Sequence, residues 1–164
     1  AITGPESTGK SSICEALQFH FGGIVVPEFA REFLSNKTDR YTFEDVEFIA
    51  REQLKREKSA FDEQHEFLFC DTDLLVIRIW MEHVFGNCPQ WIIEESLGKQ
   101  YDFTLLMDID LPWEDDPLRE HPHQRELLFQ KYLDALKISG RPFAVISGNG
   151  DDRIQNAIQL ITYL

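Results

Sequence analysis

The sequence has few positive charges, few cysteines and no long apolar run. Lysine and arginine total 16 against 29 aspartate and glutamate residues, so the formal net charge of the 164-residue chain is -13. A field of this sign repels a phosphate backbone, so no nucleic acid partner is expected. Cys14, Cys70 and Cys88 form no even framework and no CxxC pair, which favours a reducing, cytoplasmic location.

The length and the apolar pattern favour one domain that does not contact a membrane. No apolar stretch approaches the roughly 20 residues that a transmembrane helix needs. A chain of 164 residues is long enough to bury its own core, so we treat residues 1–164 as a single domain. Only three residues precede Gly4, where a buried strand should run, so we expect this sequence to begin inside a longer polypeptide.

The first motif is GPESTGKS, residues 4–11, which fits the pattern GxxxxGK[ST]. In such loops, backbone N–H groups surround phosphate, the lysine reaches the β and γ oxygens, and the last hydroxyl faces Mg²⁺. The motif therefore predicts a site for ATP and Mg²⁺. The ATP-binding residues expected from it are Gly4, Pro5, Glu6, Ser7, Thr8, Gly9, Lys10, Ser11 and Ser12.

Strand-like and helix-like segments alternate along the chain. Helical spacing extends over about 10–21, 42–65, 74–85, 89–97 and 125–138, and a last helix starts at Asp151 or Asp152. Short apolar runs between them predict strands at 1–3, 24–26, 67–70, 103–107 and within PFAVISGNG. This order predicts an α/β fold with a parallel sheet between two helix layers, whose ligands bind at the carboxyl ends of the strands.

Charged residues follow the second and third predicted strands. Glu28 is expected to accept a hydroxyl proton or hold a ribose, and Arg31 either binds phosphate or forms a surface ion pair. Asp71 is a candidate Mg²⁺ ligand or proton acceptor, with a helix N-cap as its alternative. Asp73 is balanced between a substrate contact and the same capping role.

The segment after the fourth strand, residues 111–125, contains three prolines and mixed charges. We expect a lid whose Arg119 and Arg125 neutralise charge on a transferred phosphoryl group, the alternative being a solvated loop with internal ion pairs. Trp113 either stacks on a substrate ring or packs in the core, and Tyr41 is a further candidate ligand contact. Trp80 is interpreted as a core residue.

Three classes of phosphate-binding protein compete. A signalling GTPase needs DxxG and NKxD motifs, and DTDL and DIDL supply neither. A motor or transport ATPase needs further signature loops in a longer chain. A small-molecule kinase needs a charged exit after strand two, an acid after strand three and arginines after strand four, all of which are present. A nucleotide-sensing module without rapid chemistry stays open.

The stretches GPESTGKS, VPEFARE, CDTDLLVIRIW, YDFTLLMDIDLPWEDDPLRE and SGNGDDRIQNAI together resemble the ribosylnicotinamide kinase domain of bifunctional bacterial NAD-salvage and regulator proteins. The resemblance spans nearly the whole chain. It implies transfer of the ATP γ-phosphate to the 5′-hydroxyl of nicotinamide riboside. It also implies a P-loop nucleoside-kinase-like, three-layer fold whose five-stranded parallel sheet has the order 2-3-1-4-5.

The resemblance also assigns roles to residues. It implies that Ser11 and Asp71 serve Mg²⁺, that Glu28 lies by the acceptor, that Arg119 and Arg125 belong to the lid, and that Asn149 lies beside adenine. Related chains carry an adenylyltransferase domain upstream, and a homo-oligomer is the other arrangement left open. Pro27 departs from the family, some of whose members place an aromatic residue there to stack on nicotinamide.

Overall fold

The computed structural model describes residues 1–61, 64–98 and 100–164. Strands and helices alternate, as the sequence predicts, and none of the helices in these ranges combines the length and apolarity of a membrane span. The elements are β1 (Ile2–Thr3), α1 (Lys10–Phe21), β2 (Ile24–Val26), α2 (Phe29–Ser35), α3 (Phe43–Ala60), β3 (Leu68–Cys70), α4 (Leu74–Phe85), α5 (Gln90–Leu97), β4 (Thr104–Met107), α6 (Arg125–Ser139), β5 (Phe143–Ile146) and α7 (Asp151–Thr162).

Local signals account for several helix ends. α1 follows Gly9 and ends at Gly22, both with positive φ, so backbone conformations that favour glycine set its two ends. α3 begins with a complete capping box, in which the side chains of Thr42 and Asp45 each accept from the other's backbone N–H. The predicted bounds of α1 and α4 are confirmed.

Two helices differ from the sequence predictions. α3 ends at Ala60 instead of near His65, and Phe61, which directly follows the helix, is 72% exposed. Residues 62–63 of the predicted last turn lie outside the described residues. The seven-residue helix α2 is not predicted, because two turns are too short to establish a helical period.

The expected continuous sheet in the order 2-3-1-4-5 is wrong. β1, β4 and β5 form one parallel sheet in the order β1-β4-β5, whereas β2 and β3 form a separate parallel pair. Among the described residues, an isolated bridge between Ile2 and Asp71 links the two sheets, supported by Thr72 N–H donating to the Ile2 carbonyl (3.1 Å). The ladder stops there because β1 contains two residues and Thr72, at φ 80°, leaves strand conformation immediately after the bridge.

The sheet separates two helix layers. Leu105 and Met107 of β4 pack in one cluster with residues of α1 and α7, whereas Leu106 between them packs with residues of α4 and α6. Alternate strand residues point to opposite faces, so β4 is covered on both sides. A third cluster joins α2, α3, α4 and α5. This arrangement opens one cavity at the carboxyl ends of the strands.

Asp73 is the centre of a buried polar cluster. Its carboxylate accepts from the Thr3 hydroxyl (2.9 Å), from the Arg141 guanidinium (2.8 Å) and from the Val76 N–H (3.4 Å) at the start of α4. Arg141 donates also to the Thr104 hydroxyl (2.8 Å), and the side chains of the ion pair are 1% and 0% exposed. The cluster ties β1, β4, α4 and the start of β5 together.

We predict that Asp73→Ala lowers the free energy of unfolding by about 3–5 kcal/mol, because the Arg141 charge is left buried without its counterion. Urea denaturation followed by circular dichroism measures the loss. Asp134→Ala, at an exposed position on α6, is the matched control and should change stability by less than about 0.5 kcal/mol. A loss in the Asp73 variant no larger than that of the control would contradict a structural role.

Candidate active site

The loop between β1 and α1 has the conformation of a phosphate cradle. Gly4, Ser7 and Gly9 have φ values of 136°, 56° and 77°. A Cβ atom at Gly4 would lie 3.0 Å from the carbonyl oxygen of Met107, so only glycine fits this close approach to β4. The Lys10 ammonium donates to the carbonyls of Gly4 (3.0 Å) and Pro5 (2.9 Å), which keeps it beside the loop.

A cavity of about 680 Å³ lies over this loop, within the usual size range for small-molecule sites. It brings together most of the residues that the sequence proposes. These are Gly4, Pro5, Glu6, Ser7, Thr8, Gly9, Lys10, Ser11, Ser12, Glu28, Arg31, Tyr41, Arg119 and Asn149.

Two carboxyl groups lie at the exits of β2 and β3. Glu28 lines the cavity, and burial raises its pKa; the Lys10 ammonium opposes this rise, whereas the Asp71 carboxylate adds to it. Asp71 is 5% exposed, and its Oδ1 is buried without a hydrogen-bond partner. Glu28 therefore faces the cavity, and Asp71 supplies a nearby charge with one free oxygen.

One part of the cavity wall is aromatic. The indole Nε1 of Trp80 donates to the Tyr41 hydroxyl (3.1 Å), and the two rings meet edge to face with centroids 4.9 Å apart. His83, on the same helix as Trp80, meets His121 of the lid at 4.7 Å, and burial followed by the His121 charge lowers the pKa of His83. A flat ring and a polar edge can both contact a ligand here.

Residues 111–125 lie over the phosphate loop and contact it through side chains of the loop itself. The Ser7 hydroxyl accepts from the Glu114 N–H (2.9 Å) and from the Arg119 guanidinium (3.3 Å). The Glu6 carboxylate accepts from the N–H groups of Glu120 (3.0 Å) and His121 (3.1 Å). The segment is thus held closed above the residues that would surround phosphate, and we call it the lid.

Two arginines from other segments of the chain donate hydrogen bonds to the backbone of the loop. Arg125 donates to the carbonyls of Leu111 (2.9 Å), Ile109 (3.1 Å) and Ser7 (3.2 Å). Arg153 of α7 donates to the carbonyls of Asp108 (2.7 Å) and Thr8 (3.0 Å) and pairs with the Asp110 carboxylate. Both guanidinium groups therefore fix the backbone of the loop and of the β4 exit.

Four predicted residues are not among those that line the cavity. Asp73 is fully buried in its ion pair, which corrects its assignment to substrate binding. Trp113 donates to Asp115 within the lid (2.9 Å), and Arg125 donates to backbone carbonyls. Contrary to expectation, neither side chain lines the cavity. Asp71 does not line the cavity, but its charge contributes to the raised pKa of Glu28.

Other residues of the cavity are not found from the sequence. Trp80 and His83 have the spacing of ordinary apolar residues on an amphipathic helix, so only the fold shows that they reach the cavity. Arg153 carries no motif signal. Arg31 does line the cavity, and its guanidinium pairs with Asp116 of the lid (2.8 Å).

The donor set fits Mg²⁺ bound together with phosphates. Within the ranges that the structure describes, no three His, Cys, Asp or Glu side chains form a metal site by themselves. Mg²⁺ usually takes few protein ligands and completes its shell with water and substrate phosphates. The exposed Ser11 hydroxyl and the unpartnered Asp71 Oδ1 are oxygen donors of that kind.

The fold and the loop define an α/β domain with a P-loop at the end of its first strand. Comparison with known families assigns this domain to one of them. Residues 1–153 match the family described as an AAA domain, and the chain belongs to that family.

Solved structures share the fold. The NadR protein in complex with NR gives a TM-score of 0.85 at 19% identity, covering 99% of this chain and 50% of that chain. NadR in complex with NAD and AMP-PNP gives 0.75 at 17%, covering 99% and 48%. Deoxyadenosine kinase from M. mycoides with bound dCTP gives 0.64 at 16%, covering 100% and 98%.

These matches confirm the P-loop nucleoside-kinase-like fold that the sequence resemblance implies. This chain spans about half the length of the NadR chains.

We predict that charge changes around Glu28 move its pKa in opposite directions. Lys10→Met removes a neighbouring positive charge and should raise that pKa further, whereas Asp71→Asn removes a negative charge and should lower it. Titration of ¹³C-labelled glutamate by NMR measures both shifts. Lys58→Met, at an exposed position on α3, should leave the Glu28 titration unchanged. Shifts of the opposite sign would contradict the influence of Lys10 and Asp71 on Glu28.

Proposed function

We propose that the protein is an ATP-dependent kinase that phosphorylates a hydroxyl group of a nucleoside-like acceptor, with nicotinamide riboside as the first candidate. One observation carries this proposal. The phosphate loop, the Glu28 carboxylate and the aromatic pair of Tyr41 and Trp80 all line the same cavity. A triphosphate, a proton acceptor and a surface for a flat ring are thereby brought within one small-molecule site.

The structural relatives support the choice of ligands. One NadR structure contains NR, another contains NAD and AMP-PNP, and the deoxyadenosine kinase contains dCTP. Nicotinamide riboside carries a flat cationic ring, which cation–π contact with Tyr41 or Trp80 would favour. The net charge of -13 and the Glu28 carboxylate favour a cation in the same cavity.

The residues then have separate roles in transfer. The acceptor oxygen forms a bond to the γ-phosphorus of ATP, the bond from that phosphorus to the β–γ bridging oxygen breaks, and ADP leaves. Glu28, in its ionised form, takes the hydroxyl proton. Lys10 and Arg119 offset charge on the phosphate oxygens, and the lid excludes water, so most of the catalysis is positioning and electrostatic stabilisation.

Ser11 and Asp71 would hold Mg²⁺. When bound, the ion screens charge on the β- and γ-phosphates. Asp71 is suited to this because its free Oδ1 lies in a buried position next to the cavity, where it would otherwise remain without a partner.

We expect nicotinamide riboside to be phosphorylated when the protein is incubated with ATP, Mg²⁺ and a panel of nucleosides, with products identified by mass spectrometry. Lys10→Ala is the control and should give no product, because the loop loses the ammonium that contacts the phosphates. A different phosphorylated nucleoside would reassign the acceptor. ATP binding without any product would contradict the kinase function and favour a nucleotide-sensing module.

We expect Asp71→Asn to weaken activation by Mg²⁺ by about 10- to 100-fold, the usual effect of altering a group that holds or orients a metal. Initial rates against Mg²⁺ concentration at saturating ATP measure the change. Asp134→Asn carries the same charge change at an exposed position of α6 and should match the unaltered protein. Near-normal turnover at low Mg²⁺ in the Asp71 variant would rule out the metal role.

A further inference from the structure

Glu120 of the lid forms hydrogen bonds through both its backbone and its side chain. Its backbone N–H donates to the Glu6 carboxylate of the phosphate loop (3.0 Å), and its own carboxylate accepts from the Tyr41 hydroxyl. One lid residue therefore bridges the two sides of the cavity.

On the acceptor side, Glu120 contacts the aromatic wall. Tyr41 donates to Glu120 and accepts from the Trp80 indole (3.1 Å), so the two rings and the lid carboxylate form a continuous hydrogen-bonded chain. Burial and the bond to Glu120 raise the pKa of Tyr41 to about 12, so the phenol keeps its proton and remains a donor at neutral pH. Both rings line the cavity. A ligand that fixes the rings thus acts on Glu120.

On the phosphate side, Glu6 lies inside the loop between Gly4 and Gly9. Its carboxylate accepts from two successive lid N–H groups, those of Glu120 and His121. The next loop residue, Ser7, accepts from Glu114. Any displacement of Glu120 therefore moves the lid relative to the residues that would surround phosphate.

Asp116 offers a comparison within the same lid. Its carboxylate accepts from Arg31 of α2 (2.8 Å) and from the Leu118 N–H of the lid itself (2.9 Å). The bond from Arg31 ties the acceptor side of the cavity to the lid, but the second donor to the Asp116 carboxylate belongs to the lid itself. The Glu120 N–H instead bonds directly to a side chain of the phosphate loop.

We propose that Glu120 is a positioning residue that couples the acceptor wall to the phosphate loop, so that an acceptor seated against Tyr41 and Trp80 holds the lid closed. The consequence for turnover rests on the proposed kinase function, whereas the coupling itself rests on these contacts. While the coupling is intact, the closed lid shields the phosphates from water. Its loss should increase hydrolysis of ATP without an acceptor.

Hydrogen exchange tests the coupling without turnover. In Glu120→Ala and in Tyr41→Phe, the Glu120 and His121 amides should exchange about 3- to 10-fold faster, the effect of losing one hydrogen bond. Glu120→Gln keeps an oxygen that accepts from Tyr41 and should stay within about twofold of the unaltered protein. Glu126→Ala, an exposed glutamate in the first turn of α6, is the control and should show no change.

The double variant Tyr41→Phe/Glu120→Ala decides whether the two residues act together. If they do, its exchange rates match those of Glu120→Ala alone. Additive effects, or unchanged exchange in Glu120→Ala, would overturn the coupling.

Kinetics supply the second readout. Glu120→Ala should raise the acceptor KM about 3- to 10-fold and raise the ratio of acceptor-free ATP hydrolysis to transfer, while the Kd for AMP-PNP stays within about twofold. An unchanged hydrolysis ratio in a protein that does phosphorylate the acceptor would overturn the proposed consequence. If the unaltered protein forms no product, the kinase function fails, and the exchange result still decides the coupling.

Discussion

The close approach of the phosphate loop to β4 is the constraint on which the site depends. At Gly4 the backbone comes so near to Met107 that a side chain would meet the carbonyl oxygen at 3.0 Å. This contact fixes where the loop leaves β1, and with it the direction of α1 and the position of Lys10. Arg125 and Arg153 hold the same backbone through its carbonyls. Contacts within the fold therefore shape the loop, which limits the ordering cost of binding.

Two arginines near the loop make different kinds of contact, and the sequence alone does not distinguish them. Arg119 and Arg125 occupy the same proline-rich segment and have the same chemistry. Arg119 lines the cavity and contacts the Ser7 hydroxyl, whereas Arg125 satisfies three backbone carbonyls. A guanidinium group with several donors can anchor irregular backbone that has no strand or helix to complete its hydrogen bonds. The lid needs such an anchor because it contains little regular structure.

Local signals in the sequence predict the parts of the fold that local chemistry determines. Glycines set the ends of α1, and alternating apolar segments indicate the layers. The split of the sheet at Ile2 and Asp71 is not predictable in this way, because it depends on the register between two strands that are far apart in the sequence. The same holds for Trp80. Its spacing along α4 is that of a core residue, and only the fold shows that it contacts Tyr41 and lines the cavity.

The contrast between Glu28 and Asp71 favours one assignment of the proposed proton transfer. Both follow strands that end at the cavity, and the charge of Asp71 raises the pKa of Glu28. Of the two, it is Glu28 that lines the cavity, so in the proposed transfer its carboxylate would meet the acceptor hydroxyl directly. A raised pKa makes Glu28 a stronger base once it is ionised, and the Lys10 ammonium opposes the rise. Asp71, buried with one free oxygen, is better suited to a cation, and a cation held there would in turn reduce its effect on Glu28.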